Sequence, residues 1–303
     1  MEKSKIIVIF TKSEKMKLKT EEMVITDEIR AYLIEMAANA AVKAGAEIMQ
    51  IYKSREDYDI SVKSDQTPIT VADRLAHQKI KEVLGATRIP ILSEEGREML
   101  YEERQNWELF WLVDPLDGTV EFIKGNNEFT VNIALMQENE CVGAVVYVPY
   151  YEKMYIGEKG HGAHLVTDIA PSKEADCNYT YLSGAWRSLP FESDGRTAPR
   201  VALSRSHQTP ETAEHVASLR ESHPDLEVVE QGSSYKFCML AEGAVDYYIR
   251  TSQTYEWDTA AGELILAETG GKTRSLMDGG AFRYNKADLR NPWFECYAAN
   301  SRL

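Results

Sequence analysis

Residues 110–122 read FWLVDPLDGTVEF, and the interpretation of the whole chain starts from this stretch. Residues 110–113 form a short apolar run of β-forming side chains, which is typical of a strand buried on both faces. Asp114 and Asp117 follow it. Because Pro115 between them cannot continue a ladder of hydrogen bonds, we expect the chain to turn there. Two carboxylates at this spacing suit Mg²⁺, although Asp, Pro and Gly are also common in ordinary turns.

Three other stretches place acidic side chains at the predicted ends of helices or strands. Thr70 and Asp73 form a T-x-x-D pattern where a helix is predicted to begin, and a capping box alone explains it. Glu94 ends a short predicted strand, a position that is usually only a solvated corner. Asp258, within EWDTAAG, is expected to cap the start of a helix. Taken alone, each stretch leaves a structural and a functional interpretation open.

The remaining sequence predicts helices and strands in two regions. Apolar residues at helical spacing predict a long amphipathic helix over residues 26–52. Three strand-like runs separated by turn residues predict an antiparallel meander, over residues 129–136, 141–148 and 154–157. Residues 158–198 read as linker and loops. From residue 200 onward strands and helices alternate, which indicates an α/β layer.

The composition limits the classes of partner. The chain has 303 residues and a formal net charge of −14, which argues against a nucleic-acid polymer as partner. A small phosphorylated substrate remains compatible, because bound cations locally reverse the sign of an acidic site. No stretch reaches the roughly 18 apolar residues that a membrane span requires.

The cysteines and the N-terminal residues carry two further expectations. Four cysteines lie far apart and form no C-x-x-C pair, which indicates reduced thiols in a cytoplasmic protein. Peripheral membrane association is left open. Residues 1–24 are expected to be a flexible N-terminal extension.

The motifs together resemble a known superfamily. DPLDGTVEFIKGNNEFTVNIAL (residues 114–135), the T-x-x-D pattern and WDTAAG (residues 257–262) are similar to the signatures of the lithium-sensitive, Mg²⁺-dependent phosphatases that include inositol monophosphatase and fructose-1,6-bisphosphatase. Within that superfamily, the sequence from about residue 25 onward most resembles the CysQ-type 3′(2′),5′-bisphosphate nucleotidases. The resemblance implies an α+β to α/β fold, a layered αβαβα sandwich. Its metal site would lie between two lobes, residues 25–198 and 199–303.

The resemblance also implies the roles of the site residues. It implies two Mg²⁺ ions, with a third allowed, bound by Glu94, Asp114, Asp117, Asp258 and the carbonyl of Leu116. It implies that Asp73 and Thr119 position the attacking water. Gly118 and Thr119 would donate to the phosphate oxygens, and Ser233, Lys236, Arg250 and His207 would bind a second phosphate and the nucleoside.

The function implied is hydrolysis of the 3′-phosphate of adenosine 3′,5′-bisphosphate to AMP, with 3′-phosphoadenylyl sulfate as a further substrate. Val120 and Gly125 stand where a basic residue is common in such relatives, so substrate choice is less fixed than the chemistry. The alternatives are an inositol or sugar-phosphate phosphatase and a non-catalytic metal- or nucleotide-binding regulator. We expect a monomer or a homodimer.

Overall fold

The chain forms a large and a smaller β-sheet, with helices packed between and around them, and a separate sheet of two short strands. The computed structural model describes residues 25–54, 60–62, 68–192 and 195–303. The helices are α1 Asp27–Ser54, α2 Val71–Leu84, α3 Tyr101–Arg104, α4 Thr119–Lys124, α5 Tyr179–Gly184, α6 Pro210–Ser222, α7 Tyr235–Glu242 and α8 Glu256–Glu268. The strands are β1 Ser61–Val62, β2 Pro68–Ile69, β3 Ile91–Ser93, β4 Leu109–Asp117, β5 Thr130–Gln137, β6 Glu140–Val148, β7 Lys153–Glu158, β8 Gly162–Val166, β9 Arg187–Ser188, β10 Arg200–Ser204, β11 Glu227–Gln231, β12 Tyr247–Arg250, β13 Lys272–Ser275 and β14 Phe294–Tyr297.

The large sheet has seven strands in the order β3-β4-β5-β6-β7-β8-β9. Strand β3 is parallel to β4, and every later neighbour is antiparallel. The predicted meander is confirmed as β5, β6 and β7. Glu138 and Asn139 join β5 to β6 with φ values of 49° and 66°, the left-handed backbone that a tight hairpin turn needs.

Strand β4 is buried on both faces, as its apolar run predicts. Trp111 and Val113 pack in one core with α1 and α2, and Phe110 and Leu112 pack in another with α8. Because successive side chains of a strand point to opposite faces, an uninterrupted apolar run is what two covered faces require.

The small sheet completes a sandwich of five layers. Its strands have the order β11-β10-β12-β14-β13, with β10 parallel to both of its neighbours. Helices α7 and α8 lie between the two sheets, since residues of both helices belong to the cores on either side. Helices α1 and α2 cover the outer face of the large sheet, and α6 covers that of the small sheet. The predicted αβαβα order is confirmed.

Two predictions about β-structure are wrong. Strand β4 continues through Pro115 to Asp117, and a register shift in its pairing with β5 between Asp114 and Asp117 accommodates the proline. Residues 158–198 are not only linker and loops, because β8 and β9 extend the large sheet by pairing with β7 and with each other.

The prediction for the start of the last helix is also wrong. Helix α8 begins at Glu256, so Asp258 is its third residue and Tyr255 is the N-cap. The carboxylate of Asp258 accepts the N–H of Tyr255 at 2.8 Å, which satisfies the cap and lets the helix begin earlier.

The domain bounds stay a prediction, and residues 1–24 lie outside the described residues. Cys141, Cys177, Cys238 and Cys296 are all free thiols, as predicted. Of the helices that the structure describes, none combines the length and the apolar character of a membrane span.

Candidate active site

Three carboxylates from separate parts of the chain converge in one pocket. Glu94, Asp114 and Asp258 each offer an oxygen, and these oxygens lie within 4.8 Å of one another. Parallel pairing of Ser93 with Val113 brings Glu94 beside Asp114, and the N–H of Glu94 donates to the Val113 carbonyl at 3.1 Å. Asp258 arrives from the other side, on the first turn of α8 where that helix crosses the large sheet.

The electrostatics of this cluster favour a bound cation. Burial raises the pKa of Asp114 well above its usual range, and the neighbouring charges of Glu94, Asp117 and Asp258 raise it further. The pKa of Asp258 is raised well above its usual value in the same way, by burial first and then by Asp117 and Glu94. A divalent cation among the oxygens would cancel this repulsion, and carboxylate oxygens are the ligands that Mg²⁺ prefers. The residues therefore fit a magnesium site.

Asp117 and Leu116 lie at the same site but outside that three-residue cluster. Asp117 accepts the backbone N–H of Ser234 at 2.5 Å. Burial raises the pKa of the Asp117 carboxyl, while Lys236 and the Ser234 N–H act in the opposite direction. The Leu116 carbonyl oxygen lies 3.3 Å from the Thr119 hydroxyl oxygen. Both residues line the pocket, so the structure brings all five predicted ligand residues to one place.

Asp73 and Thr119 form a hydrogen-bonded pair beside the carboxylates. The Thr119 hydroxyl donates to Asp73 Oδ1 at 3.0 Å, and Asp73 Oδ2 accepts the N–H and the hydroxyl of Thr70 at 2.7 and 2.6 Å. Asp73 is 1% exposed, and burial raises its pKa although these hydrogen bonds oppose the shift. The capping box is present as well, so the structural interpretation of T-x-x-D is confirmed, and the catalytic interpretation stays a prediction.

The pocket extends from the carboxylates over the DGT turn. It has a volume of about 360 Å³, and Gly118 and Thr119 line it. Gly118 has φ 93°, and a Cβ there would lie 2.8 Å from the Glu128 carbonyl oxygen. Only glycine therefore permits this turn to approach the chain before β5 so closely.

Two buried cations, Lys236 and Arg250, line the same pocket and form its cationic end. Lys236 is 2% exposed, and its ammonium donates to the carbonyls of Gln231 and Ser233 at 3.0 and 2.6 Å. Burial, helped by the charge of Arg250, lowers the pKa of Lys236 to about 8. Among the residues that the structure describes, Arg250 Nε is buried without a hydrogen-bond partner. Such a donor is free to bind an anion that enters the pocket.

His207 lines the mouth of this pocket as an exposed residue. Burial of the ring lowers its pKa to about 4, together with the charges of Arg250, Lys236 and Lys124. A neutral imidazole at pH 7 can accept as well as donate a hydrogen bond.

Sequence analysis missed a clamp between the two sheets. Glu128 accepts from Arg205 Nε and Nη2 at 2.8 and 2.7 Å, and it also accepts the N–H of Gly232 at 2.8 Å. Glu128 lies just before β5 in the large sheet, whereas Arg205 and Gly232 follow strands of the small sheet. Arg205 and Gly232 lie 77 and 104 positions from Glu128 in the sequence, so no local sequence pattern predicts these contacts.

Ser234 ties the cationic loop to the metal motif. Besides its N–H bond to Asp117, its hydroxyl donates to Asn132 Oδ1 at 2.7 Å and lies 2.8 Å from the Thr130 hydroxyl. Both partners belong to β5. The start of α7, which carries Lys236, is thereby fixed relative to the carboxylates.

Comparison with known proteins gives the family. The sequence profile of the inositol monophosphatase family matches residues 30–300. The chain belongs to the inositol monophosphatase family. The predicted resemblance is thereby confirmed, as is the prediction that the chain is an enzyme with the phosphatase chemistry of this family.

Individual relatives agree in sequence and in fold. The 3′(2′),5′-bisphosphate nucleotidase CysQ of Shigella flexneri is 39% identical over 240 residues, which are 78% of this chain and 88% of that protein. The crystal structure of CysQ from Bacteroides thetaiotaomicron, described as a bacterial member of the family, superposes with a TM-score of 0.81 at 40% identity, covering 89% of this chain and 98% of the other. SuhB from Bartonella henselae, at 23% identity and a TM-score of 0.67 over 88% of this chain and 93% of its own, shares the fold.

Proposed function

We propose that the chain is a Mg²⁺-dependent 3′(2′),5′-bisphosphate nucleotidase that converts adenosine 3′,5′-bisphosphate to AMP and phosphate. The observation that carries the proposal is one pocket lined by two unlike groups of side chains, a carboxylate cluster and the buried Lys236 with Arg250. The first suits a metal-assisted attack on one phosphate, and the second suits binding of another phosphate. The CysQ nucleotidases among the relatives support the same substrate class.

The carboxylates would hold the magnesium. One ion would be bound by Glu94, Asp114 and Asp258. A second ion would take ligands from Asp117 and the Leu116 carbonyl, with a third ion allowed. When bound, Mg²⁺ neutralises the charge of the phosphate and makes water a sufficient nucleophile near neutral pH.

Asp73 and Thr119 would orient the attacking water. The Thr119 hydroxyl proton is directed to Asp73, so its lone pairs face away from that carboxylate and can accept a proton of the water. The raised pKa of Asp73 suits a group that takes up a proton. Water would attack phosphorus and pass a proton through Thr119 to Asp73, the bond from phosphorus to the ribose O3′ would break, and O3′ would take up a proton from solvent and leave as a hydroxyl.

The cationic end would select the substrate. Lys236, Arg250 and Ser233 would bind the 5′-phosphate, and His207 would contact the ribose or the base. The sulfate of 3′-phosphoadenylyl sulfate extends from that 5′-phosphate and leaves the scissile end unchanged, so we propose that it is a substrate too.

The test is phosphate release from adenosine 3′,5′-bisphosphate, AMP and inositol 1-phosphate, with Mg²⁺ and with a chelator. We expect Mg²⁺-dependent release, fastest from the bisphosphate, and none from folded Asp114→Asn. A clear preference for inositol 1-phosphate would favour the sugar-phosphatase alternative. Nucleotide binding without release would favour a regulator.

Location and assembly are further parts of the proposal. We propose a cytoplasmic enzyme that acts as a monomer or a homodimer. Light scattering of the purified chain tests the assembly, and fractionation of cells tests the location.

A further inference from the structure

Glu121 is a buried carboxylate in the pocket that the roles assigned above do not use. It is the third residue of α4, directly after the DGT turn, and is 2% exposed. It lines the pocket, and among the described residues its Oε1 is buried without a hydrogen-bond partner. Leaving a buried carboxylate oxygen unpaired is costly, so its position points to a ligand that supplies the missing donor.

The chain makes room for this side chain at one glycine. A Cβ on Gly232 would lie 2.5 Å from Glu121 Cγ and 2.9 Å from the Glu128 carbonyl oxygen. Any side chain at residue 232 would therefore displace Glu121. Gly232 is followed by Ser233 and then by the start of α7, which carries Lys236. Glu121 is therefore packed against the cationic end of the pocket.

The charges around Glu121 restrict the ligand. The carboxylate of Glu121 raises the pKa of Lys236, against the larger lowering of that pKa by burial. Within the part of the chain that the structure describes, the two form no ion pair at 4 Å or less. Two of the three ammonium protons of Lys236 are directed to carbonyls, which leaves one donor for the 5′-phosphate and none for Glu121.

A group that contacts the unpaired oxygen of Glu121 must therefore donate a hydrogen bond to a carboxylate. A ribose hydroxyl can do so, whereas an ionised phosphate oxygen has no proton to donate. We propose that Glu121 accepts a hydrogen bond from the free ribose hydroxyl next to the phosphate that is cleaved, and so makes the enzyme selective for ribonucleotides. This inference rests on the proposed function, in which the sugar of a nucleoside bisphosphate spans the pocket.

The experiment compares two enzymes on two substrates. Wild type and Glu121→Gln are assayed for kcat/KM with adenosine 3′,5′-bisphosphate and with 2′-deoxyadenosine 3′,5′-bisphosphate. Because hydrogen bonds to charged groups are strong, wild type should prefer the ribonucleotide by roughly 10- to 100-fold. Glu121→Gln should lose most of that preference by slowing on the ribonucleotide, with about threefold change or less on the deoxynucleotide. Glu221→Gln, an exposed Glu on α6, is the matched control.

The outcomes separate the inference from the proposed function. If wild type cleaves both nucleotides equally well, the inference is wrong and the nucleotidase stands. If Glu121→Gln slows both substrates equally and needs more Mg²⁺, Glu121 belongs to the metal site and the inference is wrong. Release from neither nucleotide by wild type would overturn both. The comparison of substrates on wild type needs no variant, so it holds even if Glu121→Gln folds poorly.

Discussion

The pKa of Lys236 predicts a pH dependence that belongs to the second phosphate. Burial and Arg250 lower that pKa to about 8, so the ammonium loses its proton within the range in which enzymes are assayed. A neutral amine cannot form the charge-assisted bond to a phosphate that the ammonium forms. Raising the pH through 8 should therefore weaken capture of the bisphosphate.

The magnitude follows from the same contact. A hydrogen bond to a charged group contributes about 1.5–3 kcal/mol, or roughly 10- to 150-fold in kcat/KM. Since kcat/KM reports the free enzyme, it should fall about tenfold per pH unit above the pKa until that contribution is lost. Lys236→Gln should start at the lower value and show no such fall.

The assay is kcat/KM for adenosine 3′,5′-bisphosphate between pH 6.5 and about 9.5 at saturating Mg²⁺. Adenosine 3′-monophosphate, which lacks the 5′-phosphate, is the control substrate, and Lys272→Gln on the exposed edge strand β13 is the control variant. Wild type should show the fall only with the bisphosphate. An equal fall with both substrates, or the same fall in Lys236→Gln, would refute the reasoning.

Two further predictions concern stability. The carboxylate of Glu263 accepts a hydrogen bond from the Tyr284 hydroxyl, and burial raises the pKa of Glu263 from 4.5 to about 7. Because the folded state then holds a proton that the unfolded state has lost, about 3 kcal/mol of stability should be lost as the pH rises from 4.5 through 7. Urea unfolding of Glu263→Gln should lack this slope, and an unchanged slope would contradict the assignment. Glu128→Gln weakens the clamp to Arg205 and Gly232 and should cost about 1–3 kcal/mol of unfolding free energy while raising KM more than it lowers kcat. If Glu128→Gln kept the stability and the KM of the wild type, the clamp would not position the pocket.

The sequence predicts best where local chemistry dictates the structure. The run before Asp114 is typical of a strand covered on both faces, and the T-x-x-D pattern predicts a cap because its hydrogen bonds span three residues. Strand β8 is different, because Gly162 and His164 carry little β signal and become a strand through pairing with β7. Pro115 misled the prediction, since the register shift that tolerates it depends on the partner strand.

The same limit applies to the site. Glu94, Asp114 and Asp258 could be singled out because each lies in a recognisable motif, although their convergence depends on α8 crossing the large sheet. The clamp at Glu128 and the position of Glu121 over Gly232 depend on contacts between residues at least 77 positions apart. Only the folded chain reveals such pairs.

Magnesium binding by titration calorimetry tests the central claim most directly, that acids from distant motifs share cations in one pocket. Wild type should bind Mg²⁺. Asp114→Asn and Asp258→Asn should each lose at least about tenfold in affinity, because outer-shell partners of metals already cost that much. Asp225→Asn, on the exposed surface, should bind as wild type does. Undiminished binding by Asp258→Asn, with folding intact, would contradict the account.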